Sequence, residues 1–151
     1  MRILVSACLL GVACRYDGKS KPHSAVLALQ AQHQLIPVCG EVFGGLPTPR
    51  IPAERVGDRV LTEAGRDVTA EYRRGAEEVL ALARRLDCKA ALLKERSPSC
   101  GTGEIYDGSF TRTLTAGDGV TAELLRASGI AVFGESRLAD LAEYLNREES
   151  P

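Results

Sequence analysis

The chain contains no tryptophan, and Phe and Tyr together make up only 5% of its 151 residues. A surface that stacks successive nucleic-acid bases needs several aromatic side chains, so that function is not expected. Excess charge of one sign is also missing: 19 Lys and Arg stand against 20 Asp and Glu. Broad electrostatic binding to polymeric nucleic acid is therefore not expected either. No apolar run approaches the roughly 18 residues of a membrane helix. Paired CxxC or HxxxH ligands, the mark of a local zinc site, do not occur. Neither does a GxGxxG dinucleotide fingerprint or a GxxxxGK[ST] phosphate loop. The opening segment MRILVSACLLG carries one charge and runs straight into a loop motif, reading as a first strand rather than a signal peptide. A cytoplasmic protein is the resulting expectation. In that reducing compartment five cysteines are free, catalytic or metal-bound rather than disulfide-linked.

What is present suits a globular domain. Hydrophobic residues make up 44% and charged residues 26% of a chain with no repeat, linker or low-complexity tract. Residues 1–151 are expected to form a single domain, burying roughly two-thirds of the unfolded surface. Buried strands are expected at residues 2–7, 35–38, 88–94 and 130–133, with Pro37 weakening the second because it lacks a ladder donor. Helices are expected at 24–33, capped by Ser24; from 69 to about 86, capped by Thr69; at 121–128; and at 136–145. In the second, Tyr72, Ala76, Val79, Leu80, Ala83 and Leu86 recur at helical spacing, and Arg84 and Arg85 suit the helix C-terminus. In the last, Leu138, Leu141, Ala142 and Leu145 face inward. Residues 53–68 read as a hairpin turning at Gly57-Asp58, and IYDGSFTRTLTAG as a ribbon or an ordered loop. The Gly- and Pro-rich stretch GEVFGGLPTPRIPAE is long for a connection; Val42, Phe43, Leu46 and Ile51 favour an ordered one. Strands alternating with helices give an α/β fold, a Rossmann-like domain with a mostly parallel central sheet flanked by helices.

Three cysteines lie where an apolar run passes into a glycine-containing loop: Cys8 after ILVSA, Cys39 after LIPV, and Cys100 in SPSCGTG beyond AALLK. If the runs are parallel strands, the sulfurs meet at the sheet edge where open α/β folds bind ligands. Three converging thiols signal either a metal site or a nucleophile. Distant soft ligands suit an iron–sulfur cluster better than zinc. Three thiolates on a [4Fe-4S] cube leave one iron open to a substrate atom. The competing reading is a thiol nucleophile; however, Cys8 and Arg15 are one residue too far apart for a phosphate-loop phosphatase. Cys88 reads as a core residue. Cys14, in the loop of Cys8, either faces solvent or joins the site as a fourth ligand, which would close the open iron. His23 and His33 read as surface residues rather than ligands. Glu41, Ser97, Asp17 and Arg50 flank the cysteines in the same loops. A carboxylate there can relay protons or accept backbone amides. Arg50 can clamp an anionic or carbonyl group, or pin its loop to a carboxylate. Lys94, Glu95 and Arg96 read as a solvated strand end.

The ordered series SACLLG, RYDG, CGEVFGGLPTPR, PAE, GRDVT, LLKERSPSCG, IYDGSF and GVTAELL resembles the thiouracil desulfidase family from about residue 2 to 135. GGLPTPR and KE-SPSCG are its most specific pieces. The resemblance implies a Rossmann-like fold and a [4Fe-4S] cluster held by Cys8, Cys39 and Cys100. It also implies non-redox removal of sulfur, as hydrosulfide, from a thiolated pyrimidine such as 2-thiouracil. Glu41 falls on the proton-transfer position and Ser97 on the substrate-orienting one. Gly40 departs from the family's usual CPE and frees the backbone beside Glu41. Two further readings stay open: a non-catalytic iron–sulfur or sulfur-carrier module, and a cluster-free cysteine-nucleophile enzyme.

Overall fold

The computed structural model describes residues 1–149. Four parallel strands form the central sheet: β1 (Arg2–Ser6), β2 (Gln34–Val38), β5 (Ala90–Leu93) and β8 (Ala131–Gly134), in the order β2-β1-β5-β8. Ile3, Leu4 and Val5 of β1 and all four residues of β5 are buried. Strands covered on both faces need such continuous apolar runs, which is why these two were readable without alternation. Pro37 sits on the edge strand β2, paired with Val5, where its missing donor is tolerated.

Alternation along β1 separates two cores. Leu4 faces Val38, Val79, Leu93 and Leu125, under α3 (Thr69–Arg85) and α4 (Val120–Ala127). Ile3 and Val5 face Val26, Leu92, Leu141 and Leu145, under α1 (Ser24–Leu27) and α5 (Leu138–Glu149). Two antiparallel ribbons complete the fold. One pairs β3 (Ala53–Val56) with β4 (Arg59–Thr62) around Gly57-Asp58; the other pairs β6 (Glu104–Tyr106) with β7 (Leu114–Ala116). No helix among the described residues is long and apolar enough to cross a membrane.

Several local expectations are corrected. The helix expected at 24–33 breaks into α1 and a 3-10 turn at Ala28–Ala31. Only Val26 of this segment is fully buried, too little apolar contact to sustain further α-helical turns. Ser24 lies inside the first turn, and His23 occupies the cap position without a side-chain bond. Thr69 does not cap α3. Its hydroxyl instead accepts from the Val60 amide at 2.8 Å, and the Asp67 carboxylate accepts from the Thr69 amide at 2.9 Å. Ala142 is exposed, and Tyr144 packs on Phe133 instead, with ring centroids 5.9 Å apart. His33 is not a surface residue: its side chain is 8% exposed beside the N-terminal amine, 3.3 Å from Nδ1. His23 is half-buried, with Nδ1 unpartnered.

A short helix, α2 (Gly40–Phe43), was not anticipated within its glycine-rich segment. It exists because glycines let it press against α3. An added Cβ on Gly75 would lie 1.6 Å from the Gly40 carbonyl oxygen, and one on Gly44 1.9 Å from that of Glu71. Backbone meets backbone there with no room for a methyl group.

Candidate functional site

The central strands, renumbered within the sheet, run 2-1-3-4, and the order reverses between β1 and β5. Open α/β sheets bind ligands in the crevice beyond the strand carboxyl ends at such a reversal. Cys8 follows β1 in a 3-10 turn (Ala7–Leu10) closed by Gly11 at φ 95°, whose amide donates to the Cys8 carbonyl at 3.3 Å. Cys39 follows β2 at the cap position of α2. Cys100 follows β5 in a turn built on Ser97, whose hydroxyl accepts from the amides of Ser99 and Cys100, both at 3.1 Å.

All three line one cavity of about 610 Å³, together with Cys14, Glu41 and Ser97. The structure thus brings the three expected cysteines together with both expected polar residues. It adds Cys14, which is buried rather than solvent-facing. Asp17 lies outside the lining and accepts a backbone amide, from Lys19 at 3.0 Å. Cys88 is buried in the core beneath α3 and α4, as expected.

The thiols sense one another. Cys39 is raised well above the ordinary thiol range, first by its hydrogen bond with Cys14 and then by burial. Cys14 bonds both Cys39, which lowers its pKa, and Cys8, which together with burial carries the net shift upward. Burial pushes Cys100 up to about 12 against the Ser6 hydroxyl, which lowers it. Ser6 itself is buried at the end of β1, and its oxygen accepts from the Lys94 amide at 2.8 Å.

Glu41 is held at both oxygens. Tyr72 Oη donates to Oε1, and Arg50 Nη2 donates to Oε2. Arg50, with a 6% exposed side chain, also binds the Cys14 carbonyl at 2.8 Å and Pro47 O and Thr48 Oγ1 at 3.1 Å each. Its guanidinium therefore pins the loop to a carboxylate. Burial pulls the Arg50 pKa down, but Glu41 outweighs it and the net shift is upward. Tyr72 is raised above the ordinary phenol range by burial, then by Glu41. Of the loop's hydrophobes, Val42, Phe43 and Ile51 are exposed and Leu46 packs against Val60, Val68 and Tyr72, so its order comes from Leu46 and this polar cluster.

Helical spacing alone marks Tyr72 as an apolar position. A signal was available: a tyrosine on the inward face of a helix must find a partner for its hydroxyl. The solvated strand end is corrected at two of its three residues, Arg96 being exposed as expected. Lys94 Nζ lies 2.8 Å from Glu135 Oε1, and Glu95 accepts from the Ser136 amide and hydroxyl at 2.6 and 2.9 Å. Both are half-buried, because the β5–β8 pairing brings Gly134 against the Glu95 side chain.

The donor set fits a cluster. Four soft thiols line the cavity, and soft thiolates are the ligands that iron–sulfur clusters take. A multinuclear cluster spreads its ligand positions over several irons, so thiols surrounding a cavity fit it.

A family model described as 2-thiouracil desulfurase matches residues 3–137. The chain is 40% identical over 149 residues to the uncharacterised protein YbbK of Bacillus subtilis (strain 168), covering 92% of this chain and 99% of that one. It superimposes with a TM-score of 0.92 on a solved structure titled [4Fe-4S]-dependent thiouracil desulfidase TudS, 53% identical, covering 96% of this chain and 97% of that one.

Proposed function

The chain belongs to the 2-thiouracil desulfurase family, and from that premise we propose that it is a [4Fe-4S]-dependent desulfidase of a thiolated pyrimidine such as 2-thiouracil. It acts as one Rossmann-like domain in the cytoplasm on a small-molecule substrate. The observation that carries this reading is the single cavity that Cys8, Cys39 and Cys100 share with Glu41 and Ser97. The net reaction is hydrolytic: a thiocarbonyl and water give a carbonyl and hydrogen sulfide, released as hydrosulfide and a proton, with no change of oxidation state.

Cys8, Cys39 and Cys100 would hold the cluster, which when bound supplies an iron with an open position for the substrate sulfur. The remaining work falls to the chain's own groups. Ser97 accepts two amides through its oxygen, so its own hydrogen is left to donate to the pyrimidine or to the departing sulfur. Tyr72 and Arg50 each take one lone pair of the Glu41 carboxylate and leave others to accept a proton from the incoming water. Holding Glu41 from two elements fixes its position before substrate arrives, which general base catalysis requires.

Anaerobic purification with iron and sulfide analysis, followed by hydrosulfide release from 2-thiouracil, tests this directly. Near-stoichiometric cluster and hydrosulfide release are expected, with both lost in Cys39→Ala. A reconstituted protein without iron, or a Cys39→Ala variant with a full cluster, would sink the proposal.

One observation favours a second reading, a non-catalytic module that stores or delivers its cluster. Cys14 is buried and lines the cavity with Cys8, Cys39 and Cys100, so a fourth thiol is at hand to close the cluster. Cys14→Ser should then change the cluster's spectrum. An unchanged spectrum leaves three ligands and the desulfidase.

A further inference from the structure

Aromatic side chains are unevenly spent in this chain. Of its four tyrosines and three phenylalanines, Tyr16, Tyr72, Tyr106 and Phe110 all line the cysteine cavity. Tyr72 is committed to Glu41. Tyr106 ends β6, and Phe110 lies at the tip of the β6–β7 ribbon, half-buried.

The tip is held in an unusual backbone state. Phe110 has φ 57° and Arg112 φ 59°, and with Arg96 at 69° they make three of the four non-glycine residues at positive φ among those described. All three line the cavity. Such conformations cost free energy and persist only where the surroundings enforce them, often at ligand sites. The enforcing group here is Glu54, buried on β3 of the other ribbon. Its Oε1 accepts from the amides of Gly108 at 2.9 Å and Phe110 at 3.1 Å. Gly108, at φ 97°, packs so closely that an added Cβ would lie 2.2 Å from Val56 Cγ2. A buried carboxylate therefore staples one ribbon to the other and sets where Phe110 stands. Glu54 lines the cavity with the cysteines, and its hydrogen bonds go to the two amides of the ribbon tip.

We propose that Phe110, with Tyr106 beside it, is the wall on which the planar ring of the substrate stacks, and that Glu54 is the positioning residue for that wall. This rests on the desulfidase reading for the identity of the ring. Stacking acts on the ring and not on the carbon–sulfur bond, so its loss weakens binding and leaves the chemical step nearly intact.

The test uses the cluster-loaded enzyme and 2-thiouracil, with binding followed by anaerobic calorimetry and turnover by hydrosulfide release. Phe110→Ala is expected to weaken binding about tenfold, the scale of one lost base–aromatic stack. Its kcat should stay within about twofold of the parent and its cluster content and unfolding temperature should not change. Phe110→Tyr should bind like the parent. Glu54→Ala should reproduce the binding loss, and Glu54→Gln, which keeps an acceptor oxygen, should restore it. Unchanged affinity in Phe110→Ala, or a kcat that falls with it, overturns the proposal. If the parent binds 2-thiouracil, Phe110→Ala weakens that binding and neither releases hydrosulfide, the stacking wall stands and the desulfidase reading fails. If the parent turns over and Phe110→Ala binds equally well, the reverse holds. A parent with no affinity for the ring refutes both.

Discussion

Replacing Gly75 with alanine isolates the contact on which the geometry of Glu41 depends. By helix propensity alone the change should stabilise α3 by about 0.8–1 kcal/mol. The structure says otherwise. The new Cβ would stand 1.6 Å from the Gly40 carbonyl oxygen, while real Cβ atoms stay beyond 3.0 Å, so α2 must retreat by about 1.4 Å. Neither partner is a flexible side chain: both are backbone of packed helices. Overpacking of this kind costs about 1–3 kcal/mol. The net loss is then ~0–2 kcal/mol, a fall in Tm of up to about 8 °C for a domain this size. The functional loss should be larger. Tyr72, one turn earlier on α3, binds Glu41 on α2, and a displacement near 1 Å at a positioned group can cost about 100-fold in rate. Thermal unfolding by circular dichroism and the kcat for hydrosulfide release measure the two effects. Arg74→Ala, exposed on the same helix, serves as the propensity control. A Gly75→Ala enzyme that is more stable than the parent and equally active would refute the reasoning.

Three further outcomes are expected. Tyr72→Phe leaves Glu41 Oε1 short of its buried donor, so stability should fall by about 1–3 kcal/mol in denaturant titrations, and kcat should fall with KM and cluster content little changed. Cys39 and Cys100 lie above the ordinary thiol range through hydrogen bonding to Cys14 and through burial, respectively, so thiols of the cluster-free chain are protonated near neutrality. Cluster assembly must therefore release protons, and reconstitution followed by its iron yield should be more complete at mildly alkaline than at mildly acidic pH. The Asp67 carboxyl is held below the usual carboxylate range by its hydrogen bonds to Thr69. A depressed carboxylate stabilises the fold above its unfolded pKa and loses that contribution as pH falls through the folded value. Asp67→Ala should accordingly lower Tm at neutral pH and match the parent in strongly acidic buffer.

How much of this was legible from the sequence depended on range. Strands β1 and β5 announced themselves because burial on both faces demands unbroken apolar residues, and the Gly57-Asp58 turn carried its own conformational signal. The convergence of Cys8, Cys39 and Cys100 followed from strand ends alone once the strands were taken as parallel. What stayed hidden was set by contacts between distant segments. α2 is stable because Gly75, far along the chain, leaves space for it. Thr69 gave up its cap for the amide of Val60 on another element. Lys94 and Glu95 looked solvated because Glu135 and Ser136, their partners, lie some 40 residues on. Glu54, a lone acidic residue in a strand, carried no local hint of the two amides waiting above it.

The parallel arrangement of the sheet has a consequence for biogenesis. Cys8, Cys39 and Cys100 sit after the edge strand and the two central ones, and parallel neighbours meet only after a crossover has been completed. No stretch of nascent chain shorter than about the first hundred residues contains all three sulfurs, and none of them is brought close to another by a local turn. A short knuckle with neighbouring ligands can fold around its metal as it is made. On the proposed function, the sheet must first be built by hydrophobic burial, and the cluster would be delivered afterwards to a finished cradle. The four thiols that line the cavity would then have to stay reduced until that delivery, which makes the interval between folding and loading the vulnerable period in the life of this protein.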